Sequence, residues 1–106
     1  MRTTKFDAAD YIEKPEDVAH FLEAAFEGND ADHIRDALAV VARSHGMAKL
    51  AKAAKLNEKS LYRTLGKNGN PEFATVIRLL QALGITLTVK PPDRLRRETP
   101  KRKRAA

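Results

Sequence analysis

The chain contains no cysteine in its 106 residues, which excludes disulfides, thiolate metal sites and a cysteine nucleophile. Long apolar runs are also missing. The longest, such as Ala37 to Ala42, last only a few residues and fall far short of a bilayer span. The opening Met1-Arg2-Thr3-Thr4-Lys5-Phe6-Asp7 reaches an acidic residue before any apolar stretch, so no signal peptide is expected. His20, His33 and His45 are scattered without a ligand spacing such as H-E-x-x-H, and neither a metal nor another cofactor is expected. Ser44–His45 and Glu58–Tyr62 lack an orienting third group, so catalysis is not expected either. These absences leave a cytoplasmic binding protein, with no membrane partner, as the default reading.

What is present is one domain's length of chain, 42% hydrophobic, with a net charge of +6. The charge is unevenly laid out. Residues 1–36 carry four basic and ten acidic side chains, residues 37–92 nine and two, and residues 93–106 seven and two. An acidic front and a basic back suit two partners of opposite charge, although a solvated dipolar surface explains the same layout.

Apolar spacing is helical nearly throughout, and the expected class is mainly α, with about five helices and one short C-terminal β-strand. Pro15 begins a first helix whose stripe is Val18, Phe21, Leu22, Ala25 and Phe26, ending at Gly28. Asp30 or Asn29 caps a second, with Ile34, Ala37, Leu38, Val41 and Ala42 inward and Gly46 at its end. A third helix buries Met47, Leu50, Ala51 and Ala54. A fourth, starting near Glu58, buries Leu61 and Leu65. Asn70 as cap and Pro71 as first residue predict a fifth helix with Phe73, Val76, Ile77, Leu80 and Leu83 inward, closed by Gly84. The period then changes from 3.6 to 2, since Ile85, Leu87 and Val89 alternate with threonines until Pro91. The organisation expected is a single helical domain over 1–92. It comprises an acidic region and helical hairpin (1–45), a helix-turn-helix with its following helix (46–84) and a strand (85–90). A basic tail (93–106) reads as disordered in isolation.

Helices three and four carry the functional signal. Two short helices with a small residue at their approach suit a helix-turn-helix, in which the second helix enters the major groove of DNA. Asn57, Glu58, Lys59, Tyr62 and Arg63 fall outward on that second helix and combine donors, an acceptor and an amphipathic ring. Lys49, Lys52, Lys55, Lys67 and Asn68 lie around it, where the lysines would meet phosphates. The turn position that usually holds glycine is Lys55, which is expected to require a positive φ. An ordinary helical hairpin with a basic face is the simpler alternative.

The blocks "SLYRTL", "GNPEFATV" and "LLQALG", in that order before a strand, resemble the addiction-module antitoxins that have Xre (lambda-repressor-like) helix-turn-helix domains. The front, "KFDAADYI" then "PEDVAHFLEAAFE", is similar to that family's N-terminal region, so the resemblance covers residues 5–90. It implies a HigA-like antitoxin that neutralises a RelE/ParE-superfamily toxin by direct binding and represses its own operon at an inverted repeat. In the same pattern Asn57, Glu58, Lys59, Tyr62 and Arg63 fall on the DNA-reading helix, while Lys55 departs from the family's glycine.

Toxins of that superfamily are generally basic, so the acidic front is the expected docking region, with Phe6, Asp7, Asp10, Tyr11 and Ile12 as candidates. The competing reading is that Phe6, Tyr11 and Ile12 cover the domain's own core. Ile85, Leu87 and Val89 are expected to pair antiparallel with a second copy, giving a homodimer that matches a palindromic double-stranded operator. A stand-alone prophage-type regulator is the alternative with the same DNA chemistry. A non-specific nucleic-acid binder acting through the tail from Arg94 to Arg104 is a second.

Overall fold

The computed structural model describes Ile12 and residues 14–91. Five helices follow in order: α1 (Pro15–Glu27), α2 (Ala31–His45), α3 (Met47–Ala54), α4 (Glu58–Leu65) and α5 (Phe73–Ala82). Local chemistry sets most of the boundaries. Pro15 stands at the first position of α1, where its missing N–H costs nothing, and the Asp17 carboxylate accepts from the Lys14 backbone N–H at 3.0 Å. Asp30 rather than Asn29 caps α2, its Oδ1 accepting from Asp32 N and His33 N at 2.9 and 3.2 Å. Gly46 ends α2 at φ 105, a backbone region that L side chains rarely adopt.

α1 and α2 pack as a hairpin, α2 touches α3 and α4, and α3 packs on both α4 and α5. The core between them contains Leu22 and Ala25 of α1, Ala37, Leu38, Val41 and Ala42 of α2, and Leu50, Ala51 and Ala54 of α3. Leu61 and Leu65 of α4 and Leu79 and Leu80 of α5 complete it from the other side. Leu50, Leu61, Leu79 and Val41 are the largest side chains closed off almost entirely from solvent. Ile12 joins this cluster from the N-terminal side, and its carbonyl accepts from the Ser44 hydroxyl at 2.8 Å.

Four expectations change. The fifth helix begins at Phe73 with Glu72 as its cap, so Asn70 and Pro71 belong to the preceding loop. Phe73 is 72% exposed rather than buried, because it is the first helical residue and no neighbouring element covers that end. Leu79 takes a place in the core that the stripe from Phe73 to Leu83 had left out. Among the described residues there is no β-strand. Residues 85–91 run without a ladder partner, so the strand expected over 85–90 is not formed in the single chain, where a lone extended segment has no ladder to join. Within that segment Ile85 packs on the core, Leu87 is 37% exposed and Val89 94%. The basic tail (93–106) lies outside the described residues, and so does the boundary at 92.

Candidate nucleic-acid interface

The unit α3–turn–α4 is built by three local devices. Lys55 follows α3 in the left-handed region, at φ 60 and ψ 47. That conformation lets Lys55 N reach Lys52 O at 3.1 Å and Leu56 N reach Ala51 O at 2.8 Å, so the last carbonyls of α3 are satisfied. Asn57 then caps α4, its Oδ1 accepting from Ser60 N at 2.9 Å. Buried Leu61 and Leu65 clamp α4 to the core and fix which residues turn outward.

Those outward residues are Glu58, Lys59, Tyr62 and Arg63, all exposed, with the Tyr62 ring 56% accessible. Arg63 Nη2 rests 3.4 Å from the Ser60 hydroxyl, a contact on its own helix that aims the guanidinium along α4. Asn57 is exposed as well, but its carbonyl oxygen is engaged as the cap, and only its amide N–H groups face outward. Lys49, Lys52, Lys55, Lys67 and Asn68 are all exposed on or beside the unit. From Gly46 to Asn70 the chain carries six basic side chains and one acidic, Glu58. A surface so composed attracts polyanions.

The loop after α4 continues this surface. Asn68 adopts φ 67, and Gly69 passes so close to the end of α4 that an added Cβ would lie 2.1 Å from the Thr64 carbonyl oxygen. Only glycine fits such an approach. Between α4, this loop and the start of α5 lies an open groove of about 660 Å³, lined by Ser60, Arg63, Thr64, Lys67, Asn68 and Thr75, among others. Its lining is mixed: Arg63 and Lys67 are basic, Glu72 is acidic, and Leu56 and Leu61 are apolar.

Arg35 was not singled out by motif, yet it anchors this loop. Its side chain is only 10% exposed. Nη1 donates to the Gly69 carbonyl and to Asp32 Oδ1, both at 3.2 Å, and Nη2 donates to Asp36 Oδ1 at 3.0 Å. The sequence does contain a signal for it. Arg35 sits three and seven residues before Leu38 and Ala42, which puts a charge on the buried stripe of α2, and it is flanked by two aspartates.

Of the residues considered for a basic partner, Phe6, Asp7, Asp10 and Tyr11 lie outside the described residues. Ile12 is 8% exposed and is engaged by the chain's own core. Among the described residues, the solvent face of α1 carries part of the front's acidic character. There Glu23 and Glu27 hold the Lys90 ammonium at 2.9 and 3.0 Å. Hydrogen bonding to Lys90 holds the Glu23 carboxyl below its ordinary range, and the two carboxylates together raise the Lys90 ammonium above its own.

His20 and His33 are exposed, and no cluster of three or more metal-binding side chains occurs among the described residues. No described helix is long and apolar enough to cross a membrane.

A protein-family model described as "Probable addiction module antidote protein" matches residues 2–91. A Haemophilus influenzae protein, described as an uncharacterized protein, is 31% identical over 85 residues, covering 80% of this chain and 88% of the relative. No solved structure matches. With its acidic front, its basic helical unit and the following helix all inside the matched span, the chain belongs to the family of probable addiction module antidote proteins.

Proposed function

We propose that the chain is an antitoxin that binds double-stranded DNA through α4 and represses its own operon. On this reading it also neutralises a toxin by direct contact, and it works by binding rather than catalysis. The observation that carries the DNA reading is the outward set Lys59, Tyr62 and Arg63 on a helix locked by Leu61 and Leu65 within a basic surround. An α-helix with its side chains is about 10–12 Å across, a diameter that a major groove about 12 Å wide admits. Arg63 and Lys59 are the base-reading candidates, Tyr62 offers apolar contact, and Lys49, Lys52, Lys55 and Lys67 take phosphates, with Asn68 beside them. The turn-and-helix geometry supports a lambda-repressor-like helix-turn-helix. A homodimer paired through 85–90 would present two such helices to an inverted repeat.

The toxin partner follows from the family description, an addiction module antidote. A basic protein of the RelE/ParE superfamily is the partner that fits the charge. The face of α1 already accepts one cation, the Lys90 ammonium, between Glu23 and Glu27. Both encounters belong in the cytoplasm, where operon and toxin are found.

Footprinting of the purified full-length chain on the DNA preceding its own gene tests the DNA reading. A protected two-fold-symmetric site supports it, and uniform weak protection contradicts it. Co-purification with the product of the adjacent gene tests the toxin reading, and a chain that elutes alone favours a stand-alone regulator.

A further inference from the structure

Arg35 stands on α2, away from the outward face of α4, but its contacts end at the loop that flanks that face. The guanidinium is nearly enclosed and divides its donors between two aspartates and one backbone carbonyl. Asp32 and Asp36 orient it, and Gly69 O, 34 residues further along the chain, receives Nη1 at 3.2 Å. That carbonyl belongs to a tightly constrained stretch. Gly69 N closes on Gly66 O at 2.8 Å, Asn68 sits at φ 67, and the Gly69 backbone presses on Thr64 O without room for a Cβ. Lys67 and Asn68 lie inside that closed turn and line the groove beside Arg63. A buried charge on a carbonyl is a strong, directional restraint, and it comes from a helix whose own position is fixed by four core side chains. Arg35 also offsets, in part, two carboxylates that would otherwise repel a polyanion next to this loop.

We infer that Arg35 is a positioning residue for nucleic-acid binding. It holds the 66–70 turn so that Lys67 and Asn68 meet the phosphate backbone in register with α4. This rests on the DNA reading above and adds a residue to it that touches no nucleic acid. Lysine cannot replace it, because one ammonium lacks the fork needed to span the aspartates and the Gly69 carbonyl together.

The test uses Arg35→Lys, which keeps the net charge, and Gly69→Ala, which displaces the same turn from the opposite side. The full-length protein is titrated with its operator fragment at several salt concentrations, alongside Lys67→Ala and the double variant Arg35→Lys/Lys67→Ala. Arg35→Lys and Gly69→Ala are each expected to lower affinity roughly tenfold and to flatten the log–log salt slope by about one, as the loss of one phosphate contact would. In the Lys67→Ala background Arg35→Lys is expected to add little, because the contact it supports is already gone. An unchanged salt slope, or fully additive losses, would overturn the inference while leaving DNA binding by the wild type intact. A wild type that binds no DNA overturns both. Amide hydrogen exchange provides a readout independent of DNA. The Gly69 amide, bonded to Gly66 O, should exchange faster in Arg35→Lys while the α3 and α5 amides stay protected, and equal exchange at Gly69 would also overturn the anchoring role.

Discussion

Lys90 reaches back 67 residues to place its ammonium 2.9 Å from Glu23, and it shares that ammonium with Glu27 one helical turn further along α1. This contact ties the segment after α5 to the face of the first helix. Without it, Val89, at 94% exposure, has little to hold it.

The tie has a definite pH window. The folded-state carboxyl of Glu23 is lowered by its hydrogen bond to Lys90, so the contact is fully present above the carboxyl's ordinary value of 4.5. It is lost as pH falls through the lowered value. At the alkaline end the raised Lys90 contributes below its ordinary 10.5 and is lost as pH climbs past its folded value. Backbone NMR order parameters at Val89 and Lys90 should therefore be higher near neutrality than at acid pH or in about 1 M salt. Glu23→Gln with Glu27→Gln should lower the same order parameters at pH 7 with little change in melting temperature, since exposed pairs contribute little to global stability.

Leu50 is fully enclosed where α3 meets its neighbours. Leu50→Ala should cost about 2–5 kcal/mol, through lost transfer energy and the cavity left behind. Urea denaturation at an unchanged m-value measures the loss. Leu56, only partly buried, should cost clearly less on the same change.

Lys55 occupies φ 60, which is unfavourable for a side chain bearing a Cβ. Lys55→Gly removes that strain but gains chain entropy when unfolded, so a net stabilisation of about 0.5–1 kcal/mol is expected. For a domain of this size the melting temperature should rise by roughly 2–8 °C.

Much of this architecture can be read from spacing and caps alone. Pro15, Asp30, Gly46 and Asn57 mark helix ends by chemistry local to each position, and the positive φ at Lys55 follows from a turn that glycine would normally occupy. Phe73 and Leu79 could not be ordered in the same way. Phe73 heads the expected α5 stripe and Leu79 lies beside it, and which of them is covered depends on where neighbouring helices stop. In the candidate site, the outward set on α4 follows from the inward positions of Leu61 and Leu65. The engagement of the Asn57 oxygen and the link from Arg35 to Gly69 depend on three-dimensional approach. Periodicity sees one helix at a time, so a bond between α2 and a loop 34 residues away leaves only an indirect trace, a charge where the stripe should be apolar.

The segment 85–91 offers Leu87 and Val89 to solvent and makes no ladder in one copy. If two copies pair through it, Leu87→Pro removes a backbone donor from the shared ladder. Sedimentation velocity should then show a monomer where the wild type is a dimer, with reduced affinity for a palindromic site. A dimer of undiminished stability would place the interface elsewhere.

Arg63→Ala tests most directly whether α4 reads DNA sequence. Affinity of the wild type and the variant should be measured side by side for the operator and for unrelated DNA of equal length, at one fixed salt concentration. A loss of about 1–3 kcal/mol is expected at the operator, with unrelated DNA much less affected, so that specificity narrows. Equal operator affinity for both proteins, or an equal loss on both DNAs, would contradict it.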